Sequence, residues 1–478
     1  MDEKDLSHFA ERAARWGADY RAGLGERPVR PPLEPGAVAR QVAPVPPETG
    51  EAMETILADF ERVIVPGMTH WQHPRFFAYF PANAAPASVV AEILVAAMGA
   101  QCMLWQTSPA ATELEVVVTD WLRQALGLPD GFSGVLQDSA STATLAAVLT
   151  MRERALGFTG NRTGLADRPA LRVYASREVH SSVDKAVWIA GIGEDNLVKL
   201  PSGGPSRAVD AAALEAAIVA DRDAGRLPAG IVSCVGGTSV GGTDDVAAVA
   251  DVAARHGLYL HVDAAWAGSA MICPEFRTFW TGVERADSVV VNPHKWLGAQ
   301  FECSAHFLRD PESLVRTLAI RPEYLKTRGR DGVVNFSEWS VPLGRRFRAL
   351  KLWFLIRAHG LEGLRSIIRD HVRWAAALAD GIATDPAFEL VTPPMLSLFS
   401  FRYRAPANVD PDRFTLDLVE AVNRDGRVYL TQTAVDGRAA IRFQAGAFGT
   451  TEADVLSVHA VVGEVAARLA AEIAAGGR

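Results

Sequence analysis

The stretch GLYLHVDAAWAGS (257–269) reads as a short buried strand that delivers a carboxylate, Asp263, to a run of small residues. A brief apolar run bounded by Gly and Asp fits a strand covered on both faces. The pattern recurs in LRVYAS (171–176), GIVSCV (230–235) and DSVVVN (287–292). Ala-rich helical stretches separate these runs, VDAAALEAAIVADRDAG (209–225) and DDVAAVADVAARHG (244–257). Strand, helix, strand in this rhythm predicts an α/β fold with a mostly parallel central sheet flanked by helices. Ligands of such sheets bind beyond the carboxyl ends of the strands. Polar residues that follow these runs are therefore the candidate site residues.

Working outward, residues 1–24 predict a helix, and residues 28–50 carry seven prolines and predict an extended arm. Met53, Ile56, Leu57, Phe60, Val63 and Ile64 share one face at helical spacing. That face needs cover from elsewhere in the protein or from a second subunit. Past about residue 350 the rhythm changes. LSLFSFRYRA (396–405), a helix near 411–425, GRVYLTQTAV (426–435), RAAIRFQAG (438–446) and a final helix from about 451 predict a small α+β domain. Asp436-Gly437 suits a hairpin turn. The expected organisation is an N-terminal helical and Pro-rich dimerisation segment (1–77), a large α/β domain (78–352) and a small C-terminal α+β domain (353–478).

A chain of 478 residues exceeds one compact core. Its net charge of −8 disfavours nucleic acid as a partner. No apolar run reaches the ~18 residues of a membrane span, and the charged N-terminus lacks the apolar stretch of a signal peptide. Cys102, Cys234, Cys273 and Cys303 form no CxxC pair and no metal-ligand spacing, so buried free thiols and no metal are expected. These features predict a cytoplasmic protein that acts on a small molecule.

Lys295 follows the strand DSVVVN in NPHKW (292–296), where a lysine either seeks solvent or reacts. Asp263 caps a helix or holds a cationic ring nitrogen, as pyridoxal chemistry requires. Ala265, two residues on, is placed to pack on a ring face. QDSAST (137–142) precedes a helical stretch, and an ordinary N-cap and a phosphate site look alike there. His180 and Thr238 follow two further strands. Each residue singly has an ordinary structural reading, and their joint occurrence at four strand ends is far more specific.

These motifs resemble the group II pyridoxal-phosphate decarboxylases, and within them the aromatic-L-amino-acid decarboxylases. The resemblance runs through HWQHPRFFAYFPAN (70–83), SPAATELE (108–115), QDSAS (137–141), HSSVDKA (180–186), HVDAAWAGS (261–269), NPHKWLG (292–298) and PLGRRFRALKLWF (342–354). It implies a fold type I pyridoxal-phosphate enzyme, aspartate-aminotransferase-like, acting as a homodimer with active sites shared across the interface. Lys295 would form the Schiff base with pyridoxal 5′-phosphate, Asp263 pair with the pyridine nitrogen, and His180 stack on the ring opposite Ala265. Ala140, Ser141, Asn292 and His294 would bind the phosphate, with Thr238 near the 3′-oxygen. Tyr324, in RPEYLKTRGRDG (321–332), would return a proton to the α-carbon after CO2 leaves a quinonoid. Arg345 and Arg346 fit the family's arginine pair and equally fit partners of interface carboxylates.

Trp71, Tyr79, Phe80 and Pro81 match an aromatic substrate wall. Ala82 and Met103, followed by Leu104, depart from the threonine and aromatic of the animal enzymes. The implied activity is decarboxylation of an L-amino acid, most naturally aromatic: tryptophan, dopa, tyrosine or phenylalanine. A bulky aliphatic substrate, an aldehyde synthase that also deaminates oxidatively, and a non-catalytic scaffold are the alternatives. An aminotransferase would need a carboxylate-binding arginine, for which Arg442 is available. Both Tyr324 and His180 are present, which favours simple amine formation.

Overall fold

The computed structural model describes residues 3–320 and 332–476. It divides into two compact units, Ala82–His371, and Met1–Pro81 with Val372–Arg478.

The larger unit is built on a seven-stranded sheet. Its strands are β1 (Ser133–Gln137), β2 (Leu171–Ser176), β3 (Leu197–Leu200), β6 (Leu227–Cys234), β7 (Tyr259–Asp263), β8 (Ser288–Val291) and β9 (Ser304–Leu308). Between β3 and β6 the short strands β4 (Ser202–Gly203) and β5 (Ala208–Val209) form a separate ribbon. The sheet order is β1-β9-β8-β7-β6-β2-β3. Neighbours from β8 through β3 are parallel, whereas β9 runs antiparallel to both β1 and β8. Every residue of β7, β8 and β9 is buried, which explains their near-continuous apolar character. The helix Ala140–Ala155 lies against β7, β8 and β9 and presents small residues, Ala143, Ala146 and Ala147, so that it approaches closely.

The second unit carries a four-stranded antiparallel sheet ordered β10-β11-β13-β12, from β10 (Phe388–Met395), β11 (Leu398–Tyr403), β12 (Thr431–Val435) and β13 (Arg438–Gln444). Asp436 and Gly437 both have positive φ (51° and 78°), the geometry of the tight turn expected between β12 and β13. Helices Pro411–Asp425 and Glu452–Ala474 close a core of Phe399, Phe401, Phe414 and Phe443. Their starts are capped by Asp410 and Thr451, whose side chains accept first-turn amides. The N-terminal helix spans Glu3–Ala22, and the proline-rich stretch after it has only a short turn, Ala39–Gln41. The 53–64 face forms a helix, Met53–Asp59, that widens into Phe60–Ile64.

All four cysteines are free and buried. Among the described residues no His/Cys/Asp/Glu cluster could hold a metal, and no helix is long and apolar enough to cross a membrane.

Candidate active site

The sheet order places β8, β7, β6 and β2 side by side, all pointing the same way. At or just past their carboxyl ends come Lys295, Asp263, Thr238 and His180, in that order across the sheet. Because β9 is antiparallel to both its neighbours, β1 runs in the same sense as β8. Its end therefore delivers QDSAS to the same edge. One edge of one sheet collects every strand-end residue that the sequence singled out.

Lys295 sits in a wide helical turn, Pro293–Leu297, that begins directly after β8. The turn is clamped from several sides. Lys295 N–H donates to the Asn292 carbonyl (2.9 Å), and the Lys295 carbonyl accepts from Asn83 Nδ2 (2.6 Å). Asn83 N–H also donates to the His294 carbonyl (2.9 Å), and the Asn83 carbonyl accepts from Phe301 N–H (3.0 Å). Trp296 stacks on Trp266 (5.1 Å, 13°) and donates from Nε1 to His371 Nδ1 (3.0 Å), tying the lysine turn to the segment after Asp263. Lys295 as a residue is half-buried.

Asp263 is nearly buried, 7% exposed, and its Oδ1 accepts from the Ala265 amide (3.1 Å). Ala265 is held in turn, its carbonyl accepting Asn292 N–H (2.9 Å). His180 Nδ1 accepts the Ser182 amide (3.1 Å) and meets Ser182 Oγ (2.9 Å). That amide bond puts the proton of a neutral ring on Nε2. Desolvation holds the His180 pKa below the ordinary value; Asp263 pulls it up and Lys295 pushes it down. The three groups therefore share one electrostatic neighbourhood.

The helix Ala140–Ala155 starts at Ser139, whose Oγ accepts Thr142 N–H (3.3 Å). The amides of Ala140 and Ser141 fall in the first turn, where helix geometry offers no carbonyl to receive them. Asn292 and His294 are buried. Burial pushes the His294 pKa down to about 3, aided by Lys295, so the ring is neutral. Its Nδ1 accepts Cys303 N–H (2.9 Å), which leaves a donor on Nε2.

Arg345 and Arg346 make ion pairs within the larger unit. Arg345 bonds Glu115 (2.6 Å) and the Leu136 carbonyl (2.8 Å), and Arg346 pairs with Glu92. Glu115 also accepts Leu136 N–H (2.8 Å), so this buried pair fixes the end of β1 just ahead of the Ser139 cap. Arg345→Met would strand the Glu115 charge. It is expected to lower unfolding stability by about 3–5 kcal/mol, read as a lower urea midpoint.

The aromatic wall residues Trp71, Tyr79, Phe80 and Pro81 belong to the other unit. There Trp71 and Tyr79 stack (5.8 Å, 22°), and both are substantially exposed. Arg442 lies over Phe80 (4.7 Å) and donates to the Tyr79 carbonyl (2.5 Å). Burial lowers its pKa to about 9. This arginine is thus engaged in propping the Tyr79–Phe80 backbone. Ala82 and Met103 are half-buried and Leu104 is buried in the larger unit. Tyr324 lies outside the described residues.

Asn83, Ser182, Trp296 and His371 were not singled out from sequence. Asn83, Ser182 and Trp296 fall inside quoted motifs, but nothing local signals the bond that Asn83 makes to Lys295 across 212 residues.

The profile of the pyridoxal-dependent decarboxylase conserved domain matches residues 35–404. The chain belongs to this family. The decarboxylase is 38% identical over 463 residues to tyrosine decarboxylase 2 of Narcissus pseudonarcissus, covering 95% of this chain and 92% of that protein. It is 37% identical over 481 residues to phenylacetaldehyde synthase of Arabidopsis thaliana, covering 98% and 97%. The crystal structure of Oryza sativa TDC with PLP and tryptamine superposes with a TM-score of 0.94 at 36% identity, covering 98% of this chain and 99% of that one. The decarboxylase therefore has the fold type I architecture, is an amino-acid carboxy-lyase and uses pyridoxal phosphate.

The decarboxylase's own residues fit that cofactor. An amine, a carboxylate and a set of anion-seeking donors lie on one sheet edge, as an aldehyde, a ring nitrogen and a phosphate require. The first-turn amides of Ala140 and Ser141 and the Nε2 donor of His294 are groups that a phosphate could meet there.

Proposed function

We propose that the protein decarboxylates an aromatic L-amino acid to its amine and CO2. The observation that carries this reading is the row of Lys295, Asp263, Thr238 and His180 at four neighbouring parallel strand ends. Relatives named for tyrosine, and a structure bound to tryptamine, support an aromatic side chain.

Lys295 would hold the cofactor covalently, Asp263 would take its ring nitrogen, and Ala265 and His180 would face its two sides. Ala140, Ser141, Asn292 and His294 would hold the phosphate, with Thr238 beside the ring oxygen. Bound there, pyridoxal phosphate supplies the sink for the electron pair released when the α-carboxylate departs. His180, neutral and carrying its proton on Nε2, would donate to the substrate carboxylate and so orient the bond that breaks. When its amine is free, Lys295 would also serve as a base at the same sheet edge. Tyr324 is assigned, on the sequence motif, as the donor that returns a proton to the α-carbon. On the same ground Trp71, Tyr79, Phe80, Pro81, Ala82, Met103 and Leu104 are assigned to the substrate side chain.

Homodimerisation is part of this reading. It is supported by the apolar face of the helix Pro86–Met98, where Val90, Ile93, Leu94 and Met98 are each about half exposed. The free, buried cysteines suit a reducing, cytoplasmic setting. A monomer in sedimentation with full activity would contradict the dimer.

The test is a product screen over the twenty amino acids plus dopa, scoring amine, CO2, aldehyde, ammonia and peroxide. Amine from at least one aromatic substrate is expected, and activity confined to acidic or small substrates would reject the reading. Aldehyde synthase activity is the second reading, favoured by the phenylacetaldehyde synthase relative. Tyr324→Phe is expected to cut amine formation about 10²-fold or more. Aldehyde, ammonia and peroxide should then dominate at the expense of O2. Unchanged amine output would remove Tyr324 from the mechanism.

A further inference from the structure

Beneath Asp263 lies a polar cluster that the reaction described above does not use. His261 and Asp263 are two residues apart on β7, so their side chains share a face of the sheet. Ser288 is the register partner of His261, Val290 that of Asp263, and His306 on β9 that of Val290. All these side chains therefore point to the face covered by the helix Ala140–Ala155. The two imidazoles stand perpendicular with centroids 5.8 Å apart.

His261 Nδ1 meets Ser288 Oγ at 2.7 Å. Its Nε2, both nitrogens of His306 and Thr144 Oγ1 are buried and have no hydrogen-bond partner among the described residues. His261, His306 and Thr144 are each 0% exposed. Thr144 lies one helical turn ahead of Ala147 and Val148, which pack with Val232, Cys234 and Tyr259. That turn carries it from the level of Tyr259 toward that of Asp263. A neutral imidazole has one N–H donor and one acceptor nitrogen. Burial holds both rings neutral, with His306 pushed down to about 3. His306 thus has a donor and an acceptor to satisfy where no group of the described residues reaches. Interiors that gather several such groups satisfy them with ordered internal water.

We propose that His261, His306 and Thr144 bound an internal water site beneath Asp263, and that this hydrated histidine pair positions the Asp263 carboxylate. A water held by His306 and Thr144 donates to the carboxylate from the sheet side, complementing the Ala265 amide on Oδ1. The carboxylate is then fixed on two sides and presents a set direction to the ring nitrogen. His261 and His306 are positioning residues, since neither touches the cofactor. The inference rests on Asp263 being the partner of that nitrogen.

The test uses the full-length protein with His306→Leu, His306→Gln, Thr144→Val and Asp263→Asn. Two readouts are followed: the dissociation constant for pyridoxal phosphate by fluorescence titration, and the pH dependence of the bound cofactor's visible absorbance. His306→Leu and Thr144→Val are expected to weaken cofactor binding roughly 10-fold, by analogy with outer-layer partners at metal sites, and to displace the absorbance titration. His306→Gln keeps a donor and an acceptor and should stay near the parent. Thr144→Val is nearly isosteric, so the test survives if His306→Leu fails to fold. A crystal structure should show solvent within hydrogen-bond reach of His306. A dry site, or parent-like binding and titration in both His306→Leu and Thr144→Val while Asp263→Asn is impaired, overturns the proposal and leaves the Asp263 assignment standing. Parent-like binding in Asp263→Asn overturns both.

Discussion

Lys295→Ala is expected to lose decarboxylase activity by about 10³-fold or more, the scale seen when a covalent catalytic group is deleted. The purified variant should also release its cofactor on gel filtration and lack the visible band of a lysine-linked chromophore. The fold should survive. The turn is held by main-chain groups of residues 292–295 and by Asn83 and Trp296, none of which needs the lysine side chain. A stopped CO2 assay beside a thermal melt separates the two effects. A variant that melts like the parent and still releases CO2 at the parent rate would end the assignment of Lys295.

Asp263→Asn is expected to lower kcat by about 10²- to 10³-fold, the range for removing one preorganised electrostatic partner of the reacting group. The amide keeps the shape of the carboxylate and can still accept the Ala265 N–H through its oxygen. What disappears is the charge. Single-turnover measurement at saturating substrate isolates the chemical step, and a loss confined to KM would place Asp263 in binding alone. His180 offers a check within the same variant. Asp263 pulls the His180 pKa up, so removing its charge should let that pKa fall further below the ordinary value. The pH limb governed by His180 should then shift to lower pH.

Much of the architecture was legible because the larger unit is assembled from short apolar runs that each end in a polar residue. Asp263 ends and Lys295 follows a strand with no exposed position, so pattern and strand coincide. Their order across the sheet was not legible. Nothing local to SAHFL (304–308) reveals that β9 slots antiparallel between β1 and β8. In the second unit β10 escaped notice because FELVTPPM contains Pro393 and Pro394, which argue against a strand. It forms at the sheet's edge, with register shifts at those residues, where a missing N–H is tolerated. At the site, strand-end residues could be picked out singly. Asn83 and His371 could not, because each acts on the Lys295 turn through a contact distant in sequence. His306 gave no signal either. Its unusual position becomes apparent only when the neighbouring strands bury both its nitrogens.

The antiparallel insertion of β9 bears on how the enzyme comes into being. The pairs Ser133 with Leu308 and Gln137 with Ser304 join segments far apart in the chain, so β1 has no neighbour in the sheet until β9 has been synthesised. Contacts of such long range form slowly, because the intervening chain must be closed into a loop first. The QDSAS turn after β1 and the lysine turn after β8 are therefore expected to reach a common edge late in folding. A nascent chain halted before residue 304 would carry Lys295 and Asp263 with β1 not yet joined to their sheet.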